Sequence, residues 1–227
     1  MKQADFQTYF VGPPLEEGPL PAIFYFALSA QESLEKDPFN QPVRFLSKLP
    51  IRIFSITLPS HDEGIEPDDA MKHWEETKGR EIPHFLERAR GSFIHLLPFI
   101  TRSAVMGLSR GAFIACHLAA ICPEISHILG FAPLTTLPYA QELDVEALAP
   151  KLFSRSIRFY IGNHDIRVGT EAAFACIHTF AKEAHANRIR NAPLEMVIGP
   201  STGYQGHGTL PPIFKRGAEW LYQELTS

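Results

Sequence analysis

Gly107-Leu108-Ser109-Arg110-Gly111 sets a serine between two glycines. It comes directly after the apolar run Ala104-Val105-Met106 and directly before the helix-forming run Ala112-Phe113-Ile114-Ala115-Cys116-His117-Leu118. In that strand–turn–helix context a hydroxyl can serve as a nucleophile. A very tight turn strains the serine backbone and pushes Oγ clear of the sheet, while the flanking glycines remove the Cβ atoms that would meet the crossing strand and helix. The same turn aims the N–H of Arg110, at the helix start, at the point where negative charge would develop on a reacting carbonyl oxygen. The plain alternative is a serine that merely caps a helix after a buried strand.

A serine hydroxyl needs a base, and the base needs a third group to hold its tautomer. Asp165 and His207 supply both, in the chain order Ser, Asp, His. Asp165 follows the apolar run Ile157 to Ile161 and Gly162-Asn163-His164, which puts it at the C-terminal edge of a strand, where ligand sites of open α/β sheets lie. His207 sits in Gly203-Tyr204-Gln205-Gly206-His207-Gly208-Thr209, and glycine on both sides lets that loop fold back toward Ser109. His164 competes as the base, but it adjoins Asp165 and could hardly bond to it and reach Ser109 as well. His61, His73, His84, His95, His117, His127, His178 and His185 read as surface or helix residues. His61-Asp62-Glu63 is a cluster of possible metal ligands without a helical i, i+4 pair or a cysteine. It reads as a loop at a pocket rim, and no metal is expected.

The elements that would position these residues alternate along the chain. Strand candidates are Phe6 to Val11, Ile23 to Leu28, Ile51 to Thr57, Ala104 to Leu108, His127 to Phe131, Ile157 to Ile161 and Leu194 to Ile198. Several are near-continuous apolar runs, as strands covered on both faces should be. Ile82, Phe85, Leu86, Ala89, Phe93, Leu96 and Leu97 recur at helical spacing, as do Phe174, Ile177 and Phe180/Ala181, and then Phe214, Ala218, Leu221 and Leu225. Pro211 and Pro212 precede the last of these, where proline is tolerated. The alternation predicts a single α/β domain over residues 1–227, with a mostly parallel sheet of about seven or eight strands and helices on both faces. The proline-rich segment Gly12 to Pro21 reads as a loop joining an edge strand to the sheet. Pro133 to Ser156 is longer than a simple turn and is expected to form a small cap over the top of the sheet. Tyr139, Phe153 and Tyr204 are candidates for an acyl pocket, with ordinary packing as the alternative for each.

Composition narrows the function classes. The 227 residues carry a formal net charge of −4, which gives no footprint for nucleic acid or anionic lipid. The N-terminus lacks the apolar core of a signal peptide, and Ala22 to Ala30 is far too short to span a membrane. Cys116, Cys122 and Cys176 are odd in number with no CxxC spacing, and read as buried free thiols of a reducing compartment. A cytoplasmic protein with a small neutral or polar substrate is the expectation, and nothing in the chain speaks to its oligomeric state.

With these residues in view, the chain resembles the α/β-hydrolase superfamily, and within it the compact dienelactone-hydrolase-like and prolyl-oligopeptidase-like esterases. The resemblance runs from Ile23 to the C-terminus. It rests on Gly107 to Gly111, on Gly162-Asn163-His164-Asp165-Ile166-Arg167-Val168 and on Gly206-His207-Gly208. It implies the α/β-hydrolase fold, Ser109 as nucleophile, His207 as general acid/base and Asp165 as its orienting carboxylate. It further implies hydrolysis of a small-molecule carboxylic ester with no cofactor. Dienelactone hydrolases proper carry cysteine at the position of Ser109. Where the family shows a His-Gly oxyanion loop, this chain has Leu28-Ser29-Ala30-Gln31-Glu32-Ser33, so the second oxyanion N–H is expected from Gln31, or from Ala30. Leu58 to Gly64 keeps only the outline of the family's Gly-His-Gly segment. A thioesterase or peptidase would share the same three residues, and a binding protein that retained the fold without turnover is the reading from another class.

Overall fold

The structure, a computed structural model, describes residues 1–3, 7–62 and 64–227. The apolar runs become strands β1 (Lys2–Gln3), β2 (Tyr9–Val11), β3 (Leu20–Phe26), β4 (Arg52–Ser55), β5 (Ile100–Leu108), β6 (Ile125–Phe131), β7 (Ser156–Gly162) and β8 (Leu194–Gly199). They join in one sheet in the order β1-β2-β4-β3-β5-β6-β7-β8. From β4 to β8 every neighbour is parallel, while β1 and β2 close one edge in antiparallel pairing.

Between the strands lie α1 (Ala30–Glu35), α2 (Gln41–Leu46), α3 (Pro67–Thr77), α4 (Glu81–Leu96), α5 (Arg110–Ile121), α6 (Ala149–Leu152), α7 (Thr170–Ala186) and α8 (Pro211–Thr226). Alternate residues of the central strands feed two separate cores. Ala22, Phe24 and Phe26 pack on one face with Phe85 and Phe93 of α4, Phe113 of α5 and Phe180 of α7. Ile23, Tyr25 and Ala27 pack on the other with Val43 and Leu46 of α2 and Phe214, Ala218 and Leu221 of α8. A sheet covered on both faces has no room for polar side chains in its central strands, which explains their continuous apolar runs.

The loop expected from Gly12 to Pro21 ends sooner, because β3 begins at Leu20, and residues 12–19 are pinned by a buried cation. Arg52, fully buried, donates to the carbonyls of Pro13 (3.0 Å), Pro14 (2.6 Å), Gly18 (2.8 Å) and Phe99 (2.8 Å). Four oriented carbonyl dipoles stand in for the carboxylate this guanidinium lacks.

Some expectations need correction. Phe6 lies outside the described residues, and the strand expected there begins at Tyr9. In α7 the buried face is Ala173, Cys176, Ile177, Phe180 and Ala184, while Phe174 is 57% exposed and Ala181 also faces solvent. The small residues Ala173 and Cys176 let the helix approach the sheet, and a stripe read from large residues alone is rotated away from the true one. Leu97 falls just past α4, in a short 3-10 turn. Residues 133–156 form turns and the short α6 that pack against α5 and α7, with Leu134, Leu137, Val145 and Leu152 joining the core. Among the described residues no helix is long and apolar enough to cross a membrane. Cys116, Cys122 and Cys176 are free and buried.

Candidate active site

Ser109 sits at the turn between β5 and α5 with φ 55° and ψ −117°, a backbone region that side chains other than glycine enter only under strain. Two hydrogen bonds and two glycines hold it there. The Ser109 N–H donates to Phe131 O (2.8 Å), and Ser109 O accepts from Leu134 N–H (3.1 Å). A Cβ at Gly111 would stand 1.9 Å from Phe26 O, and one at Gly107 2.2 Å from Ala112 N. The turn therefore exists only because neither residue has a side chain. Arg110 opens α5, so its N–H beside Ser109 has no intrahelical partner.

His207 and Asp165 approach this serine from two loops stitched together at the C-terminal edge of the sheet. Ile166 N–H donates to Gln205 O (3.0 Å), and Gly208 N–H to Thr202 O (2.6 Å). Ser201 bonds the other loop at both ends, its Oγ accepting from His164 N–H (2.6 Å) and its N–H donating to Asn163 Oδ1 (3.0 Å). Gly203 and Gly206 turn the chain through positive φ, as a loop that folds back on itself requires. His207 Nε2 then lies 2.9 Å from Ser109 Oγ, and His207 Nδ1 lies 2.8 Å from Asp165 Oδ2. A carboxylate oxygen only accepts, so Nδ1 carries the proton and Nε2 is left to accept from the serine hydroxyl. Asp165, 2% exposed, also accepts at Oδ1 from the N–H groups of Arg167 and Val168, both at 3.1 Å. Three donors thus fix the carboxylate that fixes the imidazole.

The three residues expected to act together are brought together; Gln31 is not. Ser29 caps α1 with a reciprocal Ser29–Glu32 box, which starts the helix at Ala30 and turns Gln31 outward. Gln31 is exposed and lines a separate depression with Glu32, Glu35 and Lys36. The part of this segment that lines the cavity beside Ser109 is Ala27-Leu28. Their N–H groups both donate to Ser33 Oγ at 3.1 Å. Tyr139, Phe153 and Tyr204 are not part of that cavity. Tyr139 packs against the core and Tyr204 is 76% exposed.

The cavity measures about 340 Å³ and is walled by Ala27, Leu28, Phe39, Pro67 and Phe214, with Ser109, Arg110, Arg167 and His207 as its polar surface. That size suits a small molecule. Two contacts of its arginines were missed from sequence. His61, expected among surface or helix residues and, with Asp62 and Glu63, in a loop at a pocket rim, does lie in a loop but is 2% exposed and bonds to the Arg110 side chain. Arg167 reaches the cavity from the Asp165 loop and pairs with Asp68 of α3. His117, a helix residue as expected, is buried rather than exposed. Glu63 of the His61-Asp62-Glu63 cluster lies outside the described residues. Among those described, no group of three or more His, Cys, Asp or Glu side chains could hold a metal ion.

No family model and no curated protein sequence matches this chain. Solved structures do. TT1662 from Thermus thermophilus superimposes with a TM-score of 0.76 at 15% identity, covering 100% of this chain and 97% of its own. A ferulic-acid-bound Est1E from Butyrivibrio proteoclasticus gives 0.68 at 15%, covering 96% and 94%. A cold-adapted esterase from an Arctic intertidal metagenomic library gives 0.69 at 16%, covering 96% and 88%. Likeness at such low identity speaks to architecture, and together with the sheet order it establishes that this chain has the α/β-hydrolase fold.

Proposed function

We propose that the protein is a serine hydrolase that cleaves small carboxylic esters through an acyl-enzyme on Ser109. The observation that supports this best is the unbroken chain of hydrogen bonds from Ser109 Oγ through His207 to Asp165, opening on a cavity with apolar walls. In this reading His207 Nε2 takes the serine proton as Oγ attacks the ester carbonyl, and the Arg110 N–H donates to the oxyanion. The tetrahedral intermediate collapses, the C–O bond to the alcohol breaks, and His207 returns the proton to the departing alkoxide. A water, deprotonated by His207, then attacks the acyl-serine and releases the carboxylic acid and a free Ser109 hydroxyl. Asp165 stays ionised throughout, and its charge stabilises the imidazolium formed in each step. No step requires a cofactor or metal.

Hydrolysis of p-nitrophenyl butyrate tests the assignment. Ser109→Ala should lower kcat by on the order of 10³-fold or more, with KM little changed. Asp165→Asn should lose a comparable factor, because an amide at this position cannot accept from all three donors and lets the imidazole turn. Wild-type rates in a folded Ser109→Ala protein would remove Ser109 from the reaction.

A further inference from the structure

Arg110 buries a charge that no carboxylate neutralises directly. Its side chain is 5% exposed, and among the described residues it makes no ion pair. Nη1 donates to His61 Nε2 (2.8 Å) and to Pro67 O (2.5 Å). His61 Nδ1 donates to Pro59 O (2.7 Å), so Nε2 is the accepting nitrogen and the ring is held in one neutral tautomer. Nε and Nη2 of Arg110 find no acceptor among the described residues, and neither is among the polar atoms sealed from solvent. The cavity that Arg110 lines is the one beside Ser109. Arg167 lines it too, and lies close enough for its charge to act on Arg110. Of the two guanidiniums only Arg167 has a direct carboxylate partner, Asp68, which leaves one positive charge in excess at the wall of an otherwise apolar cavity.

A buried cation with free donors is costly unless something negative completes it. We infer that the substrate carries that group: the site takes half-esters of short dicarboxylic acids, whose free carboxylate docks on Arg110 with Arg167 in support. Arg110 and Ser109 line the same cavity of about 340 Å³, so only a short acyl chain fits between the bound carboxylate and the scissile carbonyl. Phe39, Leu28 and Phe214 suit the methylenes between them. A planar guanidinium with two adjacent N–H groups free matches carboxylate geometry better than it matches a neutral ester.

This inference rests on the hydrolase reading, and the test separates the two. Mono-p-nitrophenyl glutarate and its methyl ester share a leaving group and an acyl length and differ by one charge. Wild type should favour the anion in kcat/KM by on the order of 10-fold or more, and added salt should shrink that ratio. Arg110→Gln should bring the ratio down to about 1, and Arg167→Gln should lower it part of the way. Hydrolysis of both esters at equal rates, or a ratio unmoved in both variants, overturns the anion site and leaves the hydrolase standing. If neither ester turns over, thermal unfolding with glutarate or butyrate decides. Stabilisation by glutarate alone, lost in Arg110→Gln, supports the anion site while the hydrolase reading falls, and no difference between the two acids overturns both. Should Arg110→Gln fail to fold, Arg167→Gln and the salt dependence decide the question in the same way.

Discussion

Two histidines of this protein are held neutral, and each leaves a mark on stability. Burial pulls His61 down to about 4, and the neighbouring Arg110 charge pulls the same way. Burial is also the main cause that pulls His117 down to about 4, with its Nε2–H donating to Leu143 O at 2.8 Å. In the unfolded chain both rings take up a proton near an ordinary histidine value of about 6.5. Between pH 6.5 and 4 the unfolded state therefore binds more protons than the folded one. Stability is full above that window and drains away as pH falls through it. Denaturant unfolding at about pH 7.5 and about pH 5 should show a loss of about 2 kcal/mol for each buried ring. His117→Gln keeps a donor for Leu143 O and should flatten its share of the slope; parallel curves for wild type and variant would contradict the assignment. Ser109, Asp165 and His207 were legible at this scale because glycines and strand ends flag them locally. His61 was not, since what makes it matter is an arginine 49 positions away that only the fold brings to it.

The turn between β5 and α5 is where one element depends most on another. Gly111 lies against the backbone of Phe26, the last residue of β3. A methyl group at 1.9 Å from a carbonyl oxygen cannot be relieved by a side-chain rotation, so strand or helix has to move. Gly111→Ala should cost on the order of 3 kcal/mol and displace Ser109 Oγ from His207. Denaturation midpoint and ester hydrolysis should fall together, and a variant with wild-type stability would show that strand and helix yield easily at this contact. The glycine pattern announced this turn in the sequence, and the periodicity of α4 and α8 announced those helices. Helix α1 did not announce itself, because only six residues leave no period to read. Its Ser29–Glu32 capping box was the available signal, and the segment beside Ser109 is Ala27-Leu28 rather than Gln31. For α7 the large residues misled, since alanines and a cysteine make up much of the face that meets the sheet.

Across the whole molecule, the sheet order explains how residues 98 positions apart form one site. Strands β5 and β7 flank β6, and all three run parallel, so the loops after β5 and β7 emerge at the same edge. The loop after β8 adds His207 from the adjacent strand. That much follows from alternation of strands and helices and was readable in outline. The cavity was not, because its walls come from the end of β3, α3, α8 and the segment around Phe39, which share no local pattern. If these loops assemble a working nucleophile, a fluorophosphonate probe will find it without a known substrate. Intact-mass and peptide mapping should show one adduct, on Ser109, absent from Ser109→Ala. Folded protein that takes no label, or takes it elsewhere, would contradict the account.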